Sequence, residues 1–445
     1  MEKKSGFSSR LGFVMAAAGS AVGLGNIWRF PYLAAKYGGG IFLLVYIILA
    51  VTFGFSLMIA EISIGRKTGK STIIAYKKMN PKFSFLGYIA SLVPIIIFPY
   101  YCVIGGWVVK FLGVYLTNQG HEAVADGYFN NFISSSGEPI LCLAIFLIAC
   151  SVVVMLGVEK GIEKVSKFLM PVLVIISLGT ALYSLTIDGA IDGLIYYIKP
   201  NFSEFSIKTV VAAMGQLFYS MSLAMGIMIT YGSYMKKDDD LEKSVRNIEI
   251  FDTGIAFLSG MMIIPAVFAF SGGDKDALQT GPTLMFVTLP NVFDSMKGGH
   301  IFGLVFFVLV LFAALTSAIS LMETIVSIIS DKFNFGRKKI CIGIMIFAFI
   351  VAIPSSLGFG IWSDVTVFGY SILDFFDFIS NNIMMPIVAL LTALLIGFFS
   401  KPRFVEDEVE SSGKFKSEKM YSFIIKYVVP VCMVIILVSS LVGYV

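Results

Sequence analysis

Long apolar runs broken by short polar segments dominate this 445-residue chain. A helix that crosses the hydrocarbon of a bilayer needs about 20 mostly apolar residues. On that rule the pattern predicts eleven spans, at about 10–37, 40–66, 85–117, 138–156, 165–186, 207–235, 246–271, 299–330, 339–357, 372–399 and 421–444. Apolar residues make up 57% of the chain and charged residues 14%. Soluble domains carry roughly 25% charge, so the expected class is all-α and transmembrane. The net charge of +4 gives no reason to expect a nucleic-acid partner. The first apolar run is too long and glycine-rich for a cleaved signal, and a second follows at once.

Basic residues collect in alternate loops. Lys3, Lys4 and Arg10 begin one set, and Arg66 to Lys82, Lys160 to Lys167, Lys236 to Arg246, Lys332 to Lys339 and Lys401 to Lys419 continue it. The loops around 118–137, 187–206, 272–298 and 358–371 are poor in lysine and arginine. The bias predicts a cytoplasmic N-terminus and, with eleven spans, an external C-terminus. The charged stretch 401–420, with Pro402, reads as a flexible cytoplasmic linker before a peripheral last helix at 421–445. The five cysteines lie in apolar stretches without CxxC spacing, as helix-packing residues would. The two histidines, His121 and His300, are far apart in the chain and fall in expected loops, which argues against histidine or metal chemistry.

Two spans are unlike ordinary helices. The first contains Gly19-Ser20-Ala21-Val22-Gly23-Leu24-Gly25-Asn26, then Arg29 and Pro31, and the sixth contains Ser220-Met221-Ser222-Leu223-Ala224-Met225-Gly226. Glycine costs about 1 kcal/mol against alanine inside a helix. Such stretches serve either close packing of helices through small faces or interruption of the helix at the membrane midplane, where bare carbonyls and amides meet ions and carboxylates. The two open successive sets of five spans, 1–5 within 1–205 and 6–10 within 206–400, as an inverted repeat would.

The run Gly23-Leu24-Gly25-Asn26-Ile27-Trp28-Arg29-Phe30-Pro31-Tyr32, with Gly38-Gly39-Gly40 after it, resembles the signature of the neurotransmitter:sodium symporter family. The likeness continues through Gln216, the Ser220–Gly226 stretch and Thr316-Ser317 to Asp377, over nearly the whole chain. It is similar to the family's bacterial eleven-helix amino-acid transporters. The resemblance implies an inverted five-plus-five repeat with an eleventh peripheral helix, in a bacterial inner membrane, importing amino acids with sodium.

Residue by residue, it implies one sodium site from the Ala21 carbonyl, the side chains of Asn26, Ser220 and Asp252, and the substrate carboxylate. A second would use the carbonyls of Gly19, Val22 and Ala313 with the hydroxyls of Thr316 and Ser317. Both hydroxyls could instead bond back to the preceding turn. Chloride-dependent members have asparagine where this chain has Asp252, and a serine where it has Ala256. A carboxylate within the membrane is expensive and functional by default, so Asp252 is expected to supply the charge that chloride supplies elsewhere. A place near a helix start, facing cytoplasmic water, is the alternative.

The implied substrate pocket comprises Ala21, Leu24, Gly25, Ile97, Tyr101, Tyr219, Ser222, Met225, Ser317 and Leu321. Monoamine carriers have aspartate where this chain has Gly23, so the expected substrate is a hydrophobic or aromatic amino acid such as tyrosine, tryptophan or leucine. Another small zwitterion or amine is the alternative. Arg29 and Asp377 would close the outer side, and Lys4 and Asp331 the inner side with Phe7 and Tyr234. Lysine and phenylalanine replace the family's usual arginine and tryptophan at positions 4 and 7, and lysine lacks arginine's bidentate fork. Gly161 and Pro171 mark a turn of span 5 that could unwind to admit water to the second sodium site. The chain lacks HExxH and GxSxG, which points away from a membrane enzyme. A non-transporting scaffold or receptor would have no use for matched helix breaks.

Overall fold

The computed structural model describes residues 6–274, 277–278, 281–333 and 335–442. Among the described residues nine helices are long and apolar enough to cross a membrane. They are α2 (Gly40–Thr68), α3 (Pro81–Leu116), α4 (Glu138–Met155), α5 (Val158–Ser184), α7 (Leu241–Ser271), α8 (Gly299–Lys332), α9 (Arg337–Leu357), α10 (Ile372–Phe399) and α11 (Glu418–Val442). A tenth span is a pair, α1a (Arg10–Ala21) and α1b (Gly25–Lys36), bent by 55° at the break. Where the sixth span is expected lie α6a (Ile207–Ser220) and α6b (Ile227–Gly232), parted by residues 221–226. No strand forms among the described residues, only isolated bridges at Gly39–Pro200 and Val367–Tyr370.

Local chemistry explains where the helices start and stop. The Ser9 side chain accepts from Gly12 N–H and caps α1a, and Asp240 caps α7 through Lys243 N–H at 2.9 Å. Val22, with ψ of 95°, ends α1a, and α1b opens with a wide π-helical turn over Gly25–Arg29 before Pro31. In the second break Ser222 and Ala224 adopt φ of 53° and 61°, followed by Gly226 at 76°. Left-handed backbone at non-glycine residues costs of order 1 kcal/mol or more and persists only where surroundings impose it.

α1a and α6b are buried among α2, α5, α7 and α8, and α3 runs along α8. Glycine permits the closest approaches: a Cβ on Gly65 would run into the Ile229 carbonyl, and one on Gly161 into the Val153 carbonyl. All five cysteines are buried and free.

Three expectations need correction. Span 5 begins at Val158 rather than 165, because the apolar test undervalues the charged turn Val158–Glu163. Part of the segment expected to be a flexible linker is instead a helix, Arg403–Glu410, docked on α2 through buried Val405 and Val409. There Glu408 meets Lys237 at 2.6 Å and Arg66 at 3.5 Å, and Glu242 takes Lys416 N–H and Ser417 N–H at 2.8 and 3.1 Å. These specific, partly buried contacts outweigh its polar composition. The histidines, remote in sequence, line one cavity, where His300 stacks on Tyr115 at 5.7 Å. Among the described residues no group of three or more metal-ligating side chains forms.

Candidate functional site

Both breaks open onto one interior cavity whose walls enclose about 410 Å³ of empty space, open solvent included. Its wall includes Ala21, Leu24, Gly25, Ile97, Tyr101, Tyr219, Ser222, Met225, Ser317 and Leu321, together with Ser20, Gly23, Asn26, Ser220 and Ile227. The ten positions expected to form a substrate pocket are thus brought together from α1, α3, α6 and α8. One end is polar backbone, and the other is Ile97, Met225 and Leu321.

The cavity has specific geometry. Ser222 Oγ–H donates to the Ser20 carbonyl at 2.9 Å and joins the two breaks. Gln216 Nε2–H donates to the Gly25 carbonyl at 2.9 Å. The buried Tyr101 hydroxyl has no hydrogen-bond partner, although an orphaned buried hydroxyl is costly. A Cβ on Gly23 would lie 2.8 Å from Ser317 Oγ and 3.4 Å from the Tyr101 hydroxyl, so any side chain at 23 would fill this end.

Asp252 lies beside the cavity, fully buried. Asn26 Nδ2–H and Ser220 Oγ–H each donate to its Oδ1 at 2.8 Å, and the Tyr46 hydroxyl reaches Oδ2 at 3.4 Å. Its place three turns inside α7 excludes the reading in which it faces cytoplasmic water. All three partners are neutral, and among the described residues no lysine or arginine pairs with it. A buried carboxylate with neutral partners is costly to keep charged, and oxygen groups of this kind are the sort that suit a hard cation.

The other expected cation position is less open. Ser317 Oγ–H donates to the Ser20 carbonyl at 3.1 Å, and the Val22 carbonyl lies at 3.5 Å. Thr316 Oγ–H bonds back to the carbonyls of Phe312 and Ala313 at 2.9 and 3.1 Å, the alternative raised by its place in the helix. Gly19 packs beside Thr316: a Cβ there would sit 3.3 Å from Thr316 Cβ and from Met170 Sδ of α5.

The expected gates divide. Arg29 and Asp377 form no ion pair with each other. The Arg29 guanidinium lies over the Tyr219 ring, 5.3 Å from its centre, and the Asp377 carboxylate takes Tyr100 O–H at 3.1 Å and Asn381 Nδ2–H at 2.7 Å. On the opposite side Lys4 lies outside the described residues, and Asp331 meets Lys70 at 3.2 Å and Ser71 N–H at 2.7 Å. Phe7 is buried, donates its N–H to the Tyr234 carbonyl at 3.1 Å and packs edge-on against Phe13, Tyr231 and Tyr234.

Three further carboxylates matter that the sequence reading passed over. Glu61, in the middle of α2, accepts Ala224 N–H at 2.7 Å and so holds the unwound segment. Its signal was plain, a lone acid in the run Phe53–Ile64. Glu323 of α8 accepts Tyr234 O–H at 2.7 Å and is gripped by Arg337, which also donates to the Val154 carbonyl. Glu163 of α5 holds Ser8 N–H at 2.7 Å and Lys167 at 2.6 Å.

The model of the Sodium:neurotransmitter symporter family matches residues 4–123 and 124–445. The chain belongs to that family. It is 34% identical to YhdH, a sodium-dependent transporter of Bacillus subtilis, over 98% of both chains. A sodium-dependent transporter of Haemophilus influenzae is 33% identical over 99% of both. The crystal structure of MhsT in complex with L-phenylalanine superposes with a TM-score of 0.89 at 37% identity, covering 98% of this chain and 100% of that one. The protein is therefore a multi-pass sodium-dependent symporter with the inverted-repeat fold.

Glu61→Ala leaves the Ala224 N–H unpaired in a buried place, which costs about 1–3 kcal/mol. A lower thermal midpoint and weaker sodium-dependent ligand binding are expected, with Glu61→Gln, which keeps an acceptor, closer to wild type.

Proposed function

We propose that the protein imports hydrophobic or aromatic amino acids together with sodium by alternating access, without chloride, across a bacterial cell membrane. One observation carries the reading: the buried Asp252 carboxylate has only neutral partners and stands beside a cavity at two interrupted helices. Sodium, as co-transported cargo, would be held by Asn26, Ser220, Asp252 and the Ala21 carbonyl. A second ion would take the carbonyls of Gly19, Val22 and Ala313 and the hydroxyls of Thr316 and Ser317, with Thr316 giving up its bond to the preceding turn.

The apolar end of the cavity supports a hydrophobic side chain, and the orphaned Tyr101 hydroxyl beside the Leu24 and Gly25 backbone supports a carboxylate. Gly23 supplies no acid for an amine to pair with, so the substrate brings its own. The solved relative holds L-phenylalanine, which agrees with this chemistry. In liposomes, unlabelled tyrosine, tryptophan, phenylalanine and leucine should each displace a labelled substrate in sodium, and tyramine, which lacks the carboxylate, should not. Displacement by tyramine but not by tyrosine would overturn the substrate class.

Because Asp252 carries the negative charge itself, replacing chloride with gluconate should leave uptake unchanged. Asp252→Asn removes that charge while keeping the shape, and sodium affinity should fall on the order of 30-fold, about 2 kcal/mol. Uptake that collapses in gluconate would defeat the chloride-independent reading.

For sidedness, the lysine and arginine bias supports a cytoplasmic N-terminus and an external C-terminus. Arg29 and Asp377 then belong to the outer closure, and Phe7, Tyr234, Lys4 and Asp331 to the inner one. The turn before Pro171 lies where α5 packs on Gly19, so its unwinding would uncover the second ion from inside. Gly161 has a packing role of its own against Val153, which makes Pro171→Ala the cleaner test. That variant restores a helix hydrogen bond and should slow sodium release to the inside several-fold, with equilibrium sodium binding little changed.

A further inference from the structure

Helices α3, α8 and α9 together line a groove with about 1050 Å³ of empty space, which shares no lining residue with the interior cavity. Its walls are apolar, with Ile95 from α3, Ile329 from α8 and Ile340 and Phe347 from α9, and Lys339 stands at one end. Gly343 forms a notch in the floor, since a Cβ there would meet no atom within 4 Å. Lys339 is exposed and makes no ion pair with a described residue. A second cation, Lys332 at the end of α8, lies with its Nζ 5.0 Å from the centre of the Tyr88 ring, and Tyr88 shares a face of α3 with the groove residue Ile95, two helical turns on. From Lys339 to Phe347 the groove runs roughly 12 Å along α9 at 1.5 Å per residue, close to the thickness of one hydrocarbon leaflet, about 15 Å.

We infer that this groove is a specific site for an anionic phospholipid, with an acyl chain laid over Gly343 and the phosphate between Lys339 and Lys332. Three features favour a lipid: the groove opens to the bilayer, its length fits one leaflet, and its charge sits only at the mouth. Zwitterionic lipid satisfies the apolar walls equally well but gains less from the two lysines, each worth about 1 kcal/mol near a membrane surface. Placing this mouth in the inner leaflet rests on the orientation proposed above, whereas the site itself does not.

The test uses the full chain, purified in mild detergent and stripped of lipid, titrated with dioleoyl phosphatidylglycerol or dioleoyl phosphatidylcholine and read by native mass spectrometry. One phosphatidylglycerol should remain per chain, held at least fivefold more tightly than phosphatidylcholine. Lys339→Gln should cut that preference about fivefold, the factor that about 1 kcal/mol represents. Gly343→Phe should abolish retention of either lipid while sodium still raises the thermal midpoint, which shows that the variant is folded. Equal retention of both lipids, unmoved by Gly343→Phe, would mean unselective boundary lipid and overturn the proposal. So would a wild-type dimer that Gly343→Phe dissociates without loss of lipid, because the groove would then hold a second copy of the chain. Labelling Lys338→Cys in cells with an impermeant maleimide checks the leaflet separately. Protection from outside is expected, and reaction from outside would overturn the leaflet assignment alone.

Discussion

Asp252 accepts hydrogen bonds from Asn26 and Ser220 at 2.8 Å while shut off from water, and among the described residues no lysine or arginine pairs with it. Desolvating a carboxylate costs several kcal/mol, and neutral donors offset only part of it. Under the proposed function a mobile cation supplies what the fold withholds. Had an arginine paired with Asp252 instead, the charge would be satisfied at all times and the site would have no use for sodium. On that reading the omission of a protein cation is what turns an expensive carboxylate into an ion site.

That demand explains the cost of the two breaks. Regular helices would consume the carbonyls and amides around Ser20, Val22 and Ser220 in their own ladders. Interrupting both helices leaves backbone groups free, and side chains hold the gap in shape. Ser222 bonds across to Ser20, Gln216 reaches Gly25, and Glu61 grips Ala224 N–H from α2. Left-handed φ at Ser222 and Ala224 is the strain these contacts sustain. Asn26 and Ser220 both line the cavity and bond to Asp252. Under the proposed function a ligand that orders either residue alters the free energy of the other's binding, which is the physical content of coupling.

Much of this was legible before any coordinates. Apolar run length located the spans to within a few residues, because a membrane leaves helices few alternatives. Runs of small residues, rich in glycine in the first and in serine and alanine in the second, located both breaks, and Asp252 stood out as an acid in an apolar helix. What escaped was pairing at a distance. Glu61 and Glu323 were visible as acids within spans, but nothing in their own segments names Ala224 or Tyr234 as partners. Arg29 shows the converse. Its expected partner Asp377 is engaged by Tyr100 and Asn381, and the guanidinium lies on the Tyr219 face instead. Charge signs alone do not choose among a carboxylate, an aromatic face and a neutral donor. Composition also misjudged Arg403–Glu410, since a polar segment orders readily when opposite charges and buried valines await it.

Under the proposed function Phe7 belongs to the inner closure, and the elements around it are tied by polar contacts. Glu163 joins α5 to Ser8, and Glu323 joins α8 both to Tyr234, just beyond α6b, and to Arg337 of α9. Each acid already has several donors, so half-opening the path would leave charges with neither protein nor water around them. Full opening lets water replace the lost partners. Intermediate openings are therefore the least stable, and a closure of this kind has two states rather than a continuum. Alternating access needs that property, because a carrier that rested half open on one side while the other loosened would leak sodium.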